Sequence, residues 1–97
     1  MKSLEAQKLA DQFGSNLRYC RKRANLSQEA LAVRASVHRT EIDHLERGER
    51  VCRVDTLIKL AGALAIPPEE LLDGLCWDPG STIVGGFRFE PTEDSKP

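Results

Sequence analysis

Residues 26–48 read LSQEALAVRASVHRTEIDHLERG, two short helical patterns with a tight turn between them. Ser27 is a good N-cap, because its hydroxyl can accept from a backbone N–H of the first turn. Gln28, Glu29 and Ala30 fill that turn, and with Ala30 where a capping box needs Glu or Gln the box is incomplete. The helix runs to about Ala35, and Ser36 and Val37 make the turn. A further helix from about His38 to Arg47 buries Ile42 and Leu45 and is stopped by Gly48. Its other face is polar. Two short helices in this relation are how a chain presents a helix to the major groove of DNA.

Upstream, Leu9, Phe13, Leu17 and Cys20 recur at spacings of three and four, which predicts a helix from about Leu4 to Ala24. Asn25 follows it, and Asn tolerates the left-handed backbone that ends a helix. Downstream, Glu49 to Arg53 is a polar loop. Leu57, Leu60, Ala61 and Leu64 then form one stripe, predicting a helix from Val54 to Leu64 with Asp55 near its positive end. Pro67 and Pro68 interrupt the chain and start a short helix through Glu69, Glu70, Leu71 and Leu72. The expectation is all-α, with five helices within residues 1–74.

Composition changes at Gly74. Gly and Pro cluster around short β-prone runs at Trp77, Ile83 to Val84 and Phe87 to Phe89, so residues 75–90 are read as a β-hairpin or extended arm. Residues 91–97, PTEDSKP, carry no apolar side chain and are expected to be disordered.

The chain has 97 residues, of which 40% are hydrophobic and 30% charged. That is enough for one small core and too little for a deep catalytic cleft. No apolar run approaches the roughly 18 residues of a membrane span. The N-terminus lacks the apolar centre of a signal peptide, so a cytoplasmic protein is expected. Cys20, Cys52 and Cys76 are odd in number and far apart, against both a disulfide framework and a zinc site. Cys20 lies on the apolar stripe and should be buried, while Cys52 and Cys76 fall in segments with few core contacts and should be the more reactive.

The net charge of −1 conceals a polarised chain: residues 1–53 hold eleven Lys/Arg against seven Asp/Glu, and residues 54–97 three against eight. Basic residues in the first half can meet phosphates, and the acidic half limits indiscriminate binding.

The segments LRYCRKRANLSQEALA, SVHRTEIDHLERG and VDTLIKLAGALAIPPEELL, in this order and separation, resemble the phage repressor and Cro type of helix-turn-helix, the XRE family. The resemblance covers about Asn16 to Leu72. It implies a five-helix lambda-repressor-like DNA-binding domain acting as a homodimer on a two-fold operator in double-stranded DNA. By position it implies base contacts from Arg39, Thr40 and His44. Arg39 has the reach to donate twice to guanine N7 and O6. Gln28 matches a position that holds a phosphate through side chain and helix N-terminus. Arg47, Arg50 and Arg53 follow the recognition helix where the family contacts the backbone, and two of the three are expected to touch phosphates. Arg21 and Glu46 match a buried ion pair that ties the first helix to the third. The carboxylates of Glu41 and Asp43 would repel phosphates unless one accepts from cytosine N4 or orients Arg39.

Two positions depart from the family. Ser36 stands where Gly is usual, so a left-handed backbone there would be strained. Arg53 stands where the fourth helix usually has a Ser or Thr cap. An enzyme finds little support: His38 and His44 point in different directions, and no Walker or dinucleotide-binding glycine pattern precedes a helix. No cofactor or metal is expected. The reading is a DNA-binding transcriptional regulator that represses. The rival readings are an antitoxin, a restriction-modification controller, or a protein-interaction module whose C-terminal arm docks a partner. Trp77, Phe87 and Phe89 are surplus to a five-helix core and are expected to form the dimer interface; the competing expectation folds the arm back on the fourth and fifth helices.

Overall fold

The computed structural model describes residues 3–80 and 85–90. Among these, four α-helices are followed by a single 3-10 turn and a two-stranded sheet: α1 Leu4–Arg23, α2 Gln28–Ala35, α3 Arg39–Glu46, α4 Val54–Leu64, the turn Pro68–Glu70, β1 Leu75–Asp78 and β2 Gly86–Phe89. The run at Ile83 to Val84 and residues 91–97, expected to be disordered, lie outside the described residues.

Local chemistry explains most boundaries. The Ser3 hydroxyl accepts from Ala6 N–H at 3.1 Å to open α1, and Ser27 accepts from Ala30 N–H at 3.0 Å to open α2. Asn25, Ser36 and Ala65 end α1, α2 and α4 in left-handed backbone, with φ of 59°, 56° and 57°. Arg53 precedes α4 with no side-chain cap, as its departure from the family led one to expect.

The core is built from one stripe of each helix. Leu17, Leu31, Ile42, Leu45, Leu60 and Leu71 are all inaccessible to solvent. Each such side chain contributes about 1.5 to 3 kcal/mol relative to remaining exposed. α1 crosses the end of α3 so closely that a Cβ on Gly14 would sit 2.4 Å from the Leu45 carbonyl oxygen. Nothing larger than glycine fits there. Cys20 is buried, as its place on the stripe requires.

The fifth helix of the sequence reading is corrected to the single 3-10 turn. Glu70, Leu71 and Leu72 donate to Pro67, Pro68 and Glu69, each three residues back. Only five residues separate Pro68 from Gly74, which is left-handed at φ 82°, too few to offset the cost of nucleating an α-helix. The buried Asn16 of α1 takes carbonyls that a longer helix would use, donating to Leu71 O at 3.0 Å and Asp73 O at 2.9 Å.

The arm is a hairpin. β1 and β2 are antiparallel, with Leu75 opposite Phe89 and Trp77 opposite Phe87. The Trp77 and Phe87 rings meet edge to face, 5.1 Å between centroids. β2 packs on α1, and the Phe87 N–H donates to Glu5 at 3.2 Å. The competing expectation is therefore also corrected: within the chain the arm lies on α1, not on α4 and the turn after it.

Candidate nucleic-acid interface

α3 turns Ile42 and Leu45 inward, and the 100° step per residue carries Thr40, Asp43, His44 and Arg47 to the opposite side. Arg39 sits at the helix start beside α2. Its guanidinium donates to the Gln28 amide oxygen at 3.1 Å. The Gln28 amide nitrogen faces Glu46 at 3.2 Å and Asp43 at 3.4 Å. Two carboxylates fix which way that amide turns, so its oxygen faces Arg39. The Gln28 side chain is thus engaged inside the protein, while the backbone N–H groups of the α2 start remain the part of it suited to a phosphate.

Behind this group, Arg21 grips Glu46 with two bonds, Nε to Oε2 at 2.6 Å and Nη2 to Oε1 at 3.0 Å, and donates a third to Leu26 O at 2.9 Å. The two side chains are 11% and 5% exposed. Glu46 raises the Arg21 pKa despite burial, so the pair stays ionised. It joins α1 to the end of α3 and, through Gln28, to the start of α2.

Each remaining basic side chain expected on this face is held by a carboxylate of the same chain. Arg47 donates to Asp43 one turn earlier at 3.0 Å, and that bond holds the Asp43 carboxyl below the usual range. Arg50 donates to Glu41 at 2.7 Å. Arg53 lies 3.2 Å from Asp55, and His44 pairs through Nδ1 with Glu49. These pairs are partly exposed, so each contributes little to stability, and phosphates can displace the carboxylates from them. Asp43 and Arg47 were legible as an i, i+4 pair. The roles of Glu41, which reaches Arg50 across the loop, and of Glu49 were not.

Trp77 is 56% exposed, whereas Phe87 and Phe89 are half-buried. A second apolar strip, unforeseen in the sequence, runs along α4 at Val54 and Ile58, 71% and 59% exposed. Cys52, expected to be reactive, packs against the core, and burial pushes its thiol up to about 12, with Glu41 and Asp55 adding to the shift. Cys76 donates to Glu90 at 2.8 Å, and its thiol is raised by that bond. Among the described residues no group of His, Cys, Asp and Glu could hold a metal ion, and no helix is long and apolar enough to cross a membrane.

The profile of the helix-turn-helix domain family matches residues 12–73, which run from the third turn of α1 to three residues beyond the 3-10 turn. The chain belongs to that family. This helix-turn-helix protein is 42% identical over 62 residues to the control protein C.BamHI of Bacillus amyloliquefaciens, covering 63% of this chain and 76% of that one. It is 47% identical over 60 residues to the control protein C.SmaI of Serratia marcescens, covering 62% and 71%. Among solved structures it is similar to the restriction-modification controller protein C.AhdI of Aeromonas hydrophila, with TM-score 0.63, 40% identity, 64% of this chain and 94% of that one. The DNA-binding domain of the c2 repressor matches with TM-score 0.60 and 32% identity over 64% and 82%. The phage-repressor resemblance of the sequence is thereby established, and with it a family of DNA-binding transcription regulators.

Proposed function

We propose that this helix-turn-helix protein is a sequence-specific regulator that binds a two-fold operator as a homodimer and represses transcription, with α3 in the major groove. The observation that carries the reading is the Gln28–Arg39 bond, which aims a guanidinium from the first residue of α3. Arg39, Thr40 and His44 read bases. The start of α2 at Gln28, with two of Arg47, Arg50 and Arg53, meets phosphates, each of the two exchanging a carboxylate for a phosphate oxygen. A bound dimer of this size represses by covering a promoter. Likeness to two control proteins and to a restriction-modification controller protein supports the controller reading, one of the rivals the sequence offered, over an antitoxin or a protein-interaction module, and favours a restriction-modification operon as the target.

The exposed Trp77 of the arm, with Phe87 and Phe89 behind it, is assigned to pairing with a second copy, since a two-fold operator needs two recognition helices about 34 Å apart. Capture of fragmented genomic DNA by the protein, followed by sequencing, tests the function. Reads concentrated at a few two-fold sites are expected, and even coverage of the genome overturns it. Sedimentation of the chain truncated after Gly74 tests the arm: a helical monomer is expected, and an unchanged dimer moves the interface to Val54 and Ile58.

A further inference from the structure

The chain leaves α3 through a left-handed turn at Gly48, whose φ is 71°. Gly48 N–H donates to Leu45 O at 3.1 Å and Glu49 N–H to His44 O at 2.9 Å. In this Schellman arrangement the residue after the glycine lies over the third residue before the helix cap, and a hydrophobic pair frequently fills that place. Here the pair is Glu49 and His44. The backbone bond holds the two residues together, and the Glu49 carboxylate engages Nδ1 of the imidazole. The side chains are 35% and 43% exposed, so the ring remains open to a ligand.

We propose that Glu49 is a positioning residue that fixes the tautomer of His44 and thereby sets which base edge His44 accepts. This rests on the reading of α3 as the base-reading helix. A carboxylate only accepts, so Nδ1 carries the proton, and in the neutral ring Nε2 is an acceptor. In the major groove it can then meet the amino group of adenine or cytosine, but not guanine, whose edge presents acceptors alone. Protonation turns Nε2 into a donor and reverses the choice. Preference at one base pair of each half-site therefore depends on pH.

The charged groups around the ring are few. Glu49 faces Nδ1, Arg47 lies 3.5 Å from the other Glu49 oxygen, and Asp43 holds Arg47 from the preceding turn. Arg50, next along the loop, is paired with Glu41. Arg47 holds the Asp43 carboxyl below the usual range, and Asp43 in turn raises Arg47, so this pair stays ionised.

The test is selection of bound sequences from a pool of randomised half-sites, using the full chain at about pH 8 and about pH 5.5. One base pair should favour adenine or cytosine at the higher pH and gain guanine about tenfold at the lower. His38→Ala should preserve that shift. Glu49→Gln, whose amide can accept from Nδ1 or turn to donate to it, should weaken the higher-pH preference, and Glu49→Ala should flatten it about tenfold. The same base preference at both pH values overturns the proposal, with or without a folded Glu49→Ala variant. So does Glu49→Ala with the unmodified chain's preference. If His44→Ala leaves every position unchanged, the base-reading role of His44 fails instead.

Discussion

Asn16 on α1 and Leu71, 55 residues later, are joined by a buried hydrogen bond of 3.0 Å from the amide nitrogen to the main-chain carbonyl. The same amide reaches Asp73, and Gln12 supplies the donor for its oxygen at 3.0 Å. One polar side chain inside the core thus fixes where the chain turns away from the domain towards the hairpin. Asn16→Ala removes the donor to the buried Leu71 carbonyl and should lower stability by about 1 to 3 kcal/mol. In urea denaturation the midpoint should fall with the slope unchanged; a loss below about 0.5 kcal/mol would show that water replaces the amide.

Arg39→Ala should cost about 1 to 3 kcal/mol on the best operator and relax preference at one base pair per half-site. Gln28→Ala should relax that same base pair, because the guanidinium loses the oxygen that aims it, and the double variant should relax it no further than Arg39→Ala alone. Binding measured on a set of single-substitution operators separates the roles. Uniform weakening by Gln28→Ala would leave Gln28 as a phosphate contact and nothing more.

Ser36 and Ala65 hold left-handed backbone that glycine adopts without a Cβ penalty of about 1 to 2 kcal/mol. Glycine also adds freedom to the unfolded chain, which opposes the gain by about 0.4 to 1 kcal/mol. Ser36→Gly and Ala65→Gly should each raise stability, by at most about 1 kcal/mol and a few degrees in Tm. Thermal denaturation of the two variants and their combination checks this, and a drop in Tm would place the strain elsewhere.

The Cys52 thiol, pushed up to about 12 by burial, should be modified by an alkylating reagent at about pH 8 roughly a thousandfold more slowly than an ordinary thiol near 8.5. The sign for stability follows. Above the ordinary thiol range the unfolded chain releases this proton while the folded one keeps it, so stability due to Cys52 falls from about pH 8.5 towards 12. Cys52→Ala should have a flatter stability profile over that interval than the unmodified chain. Equal slopes would show that the thiol is not shielded.

The helices were legible in the sequence wherever a stripe and a stop coincided. Val54 to Leu64 has both, and α4 occupies that span. The fifth helix was misread because the deciding competitor, Asn16, is far away along the chain, and no local pattern shows that a distant amide will take a carbonyl. The docking of β2 on α1 is hidden for the same reason. At the interface, the spacing of Arg39, Thr40 and His44 on α3 was readable, as was the Arg21–Glu46 contact by resemblance. The aim of Arg39 was not, since it depends on how the Gln28 amide is turned by Glu46 and Asp43.

The left-handed caps at Ser36 and Ala65 also bear on how long each copy lasts. A penalty of one or two kcal/mol changes the ratio of folded to unfolded chain by about 5- to 30-fold. Proteases act on the open form, so such a difference alters steady-state abundance several-fold in a cell. Two residues far from any base therefore help set turnover, and with it how quickly occupancy of an operator can fall once synthesis stops.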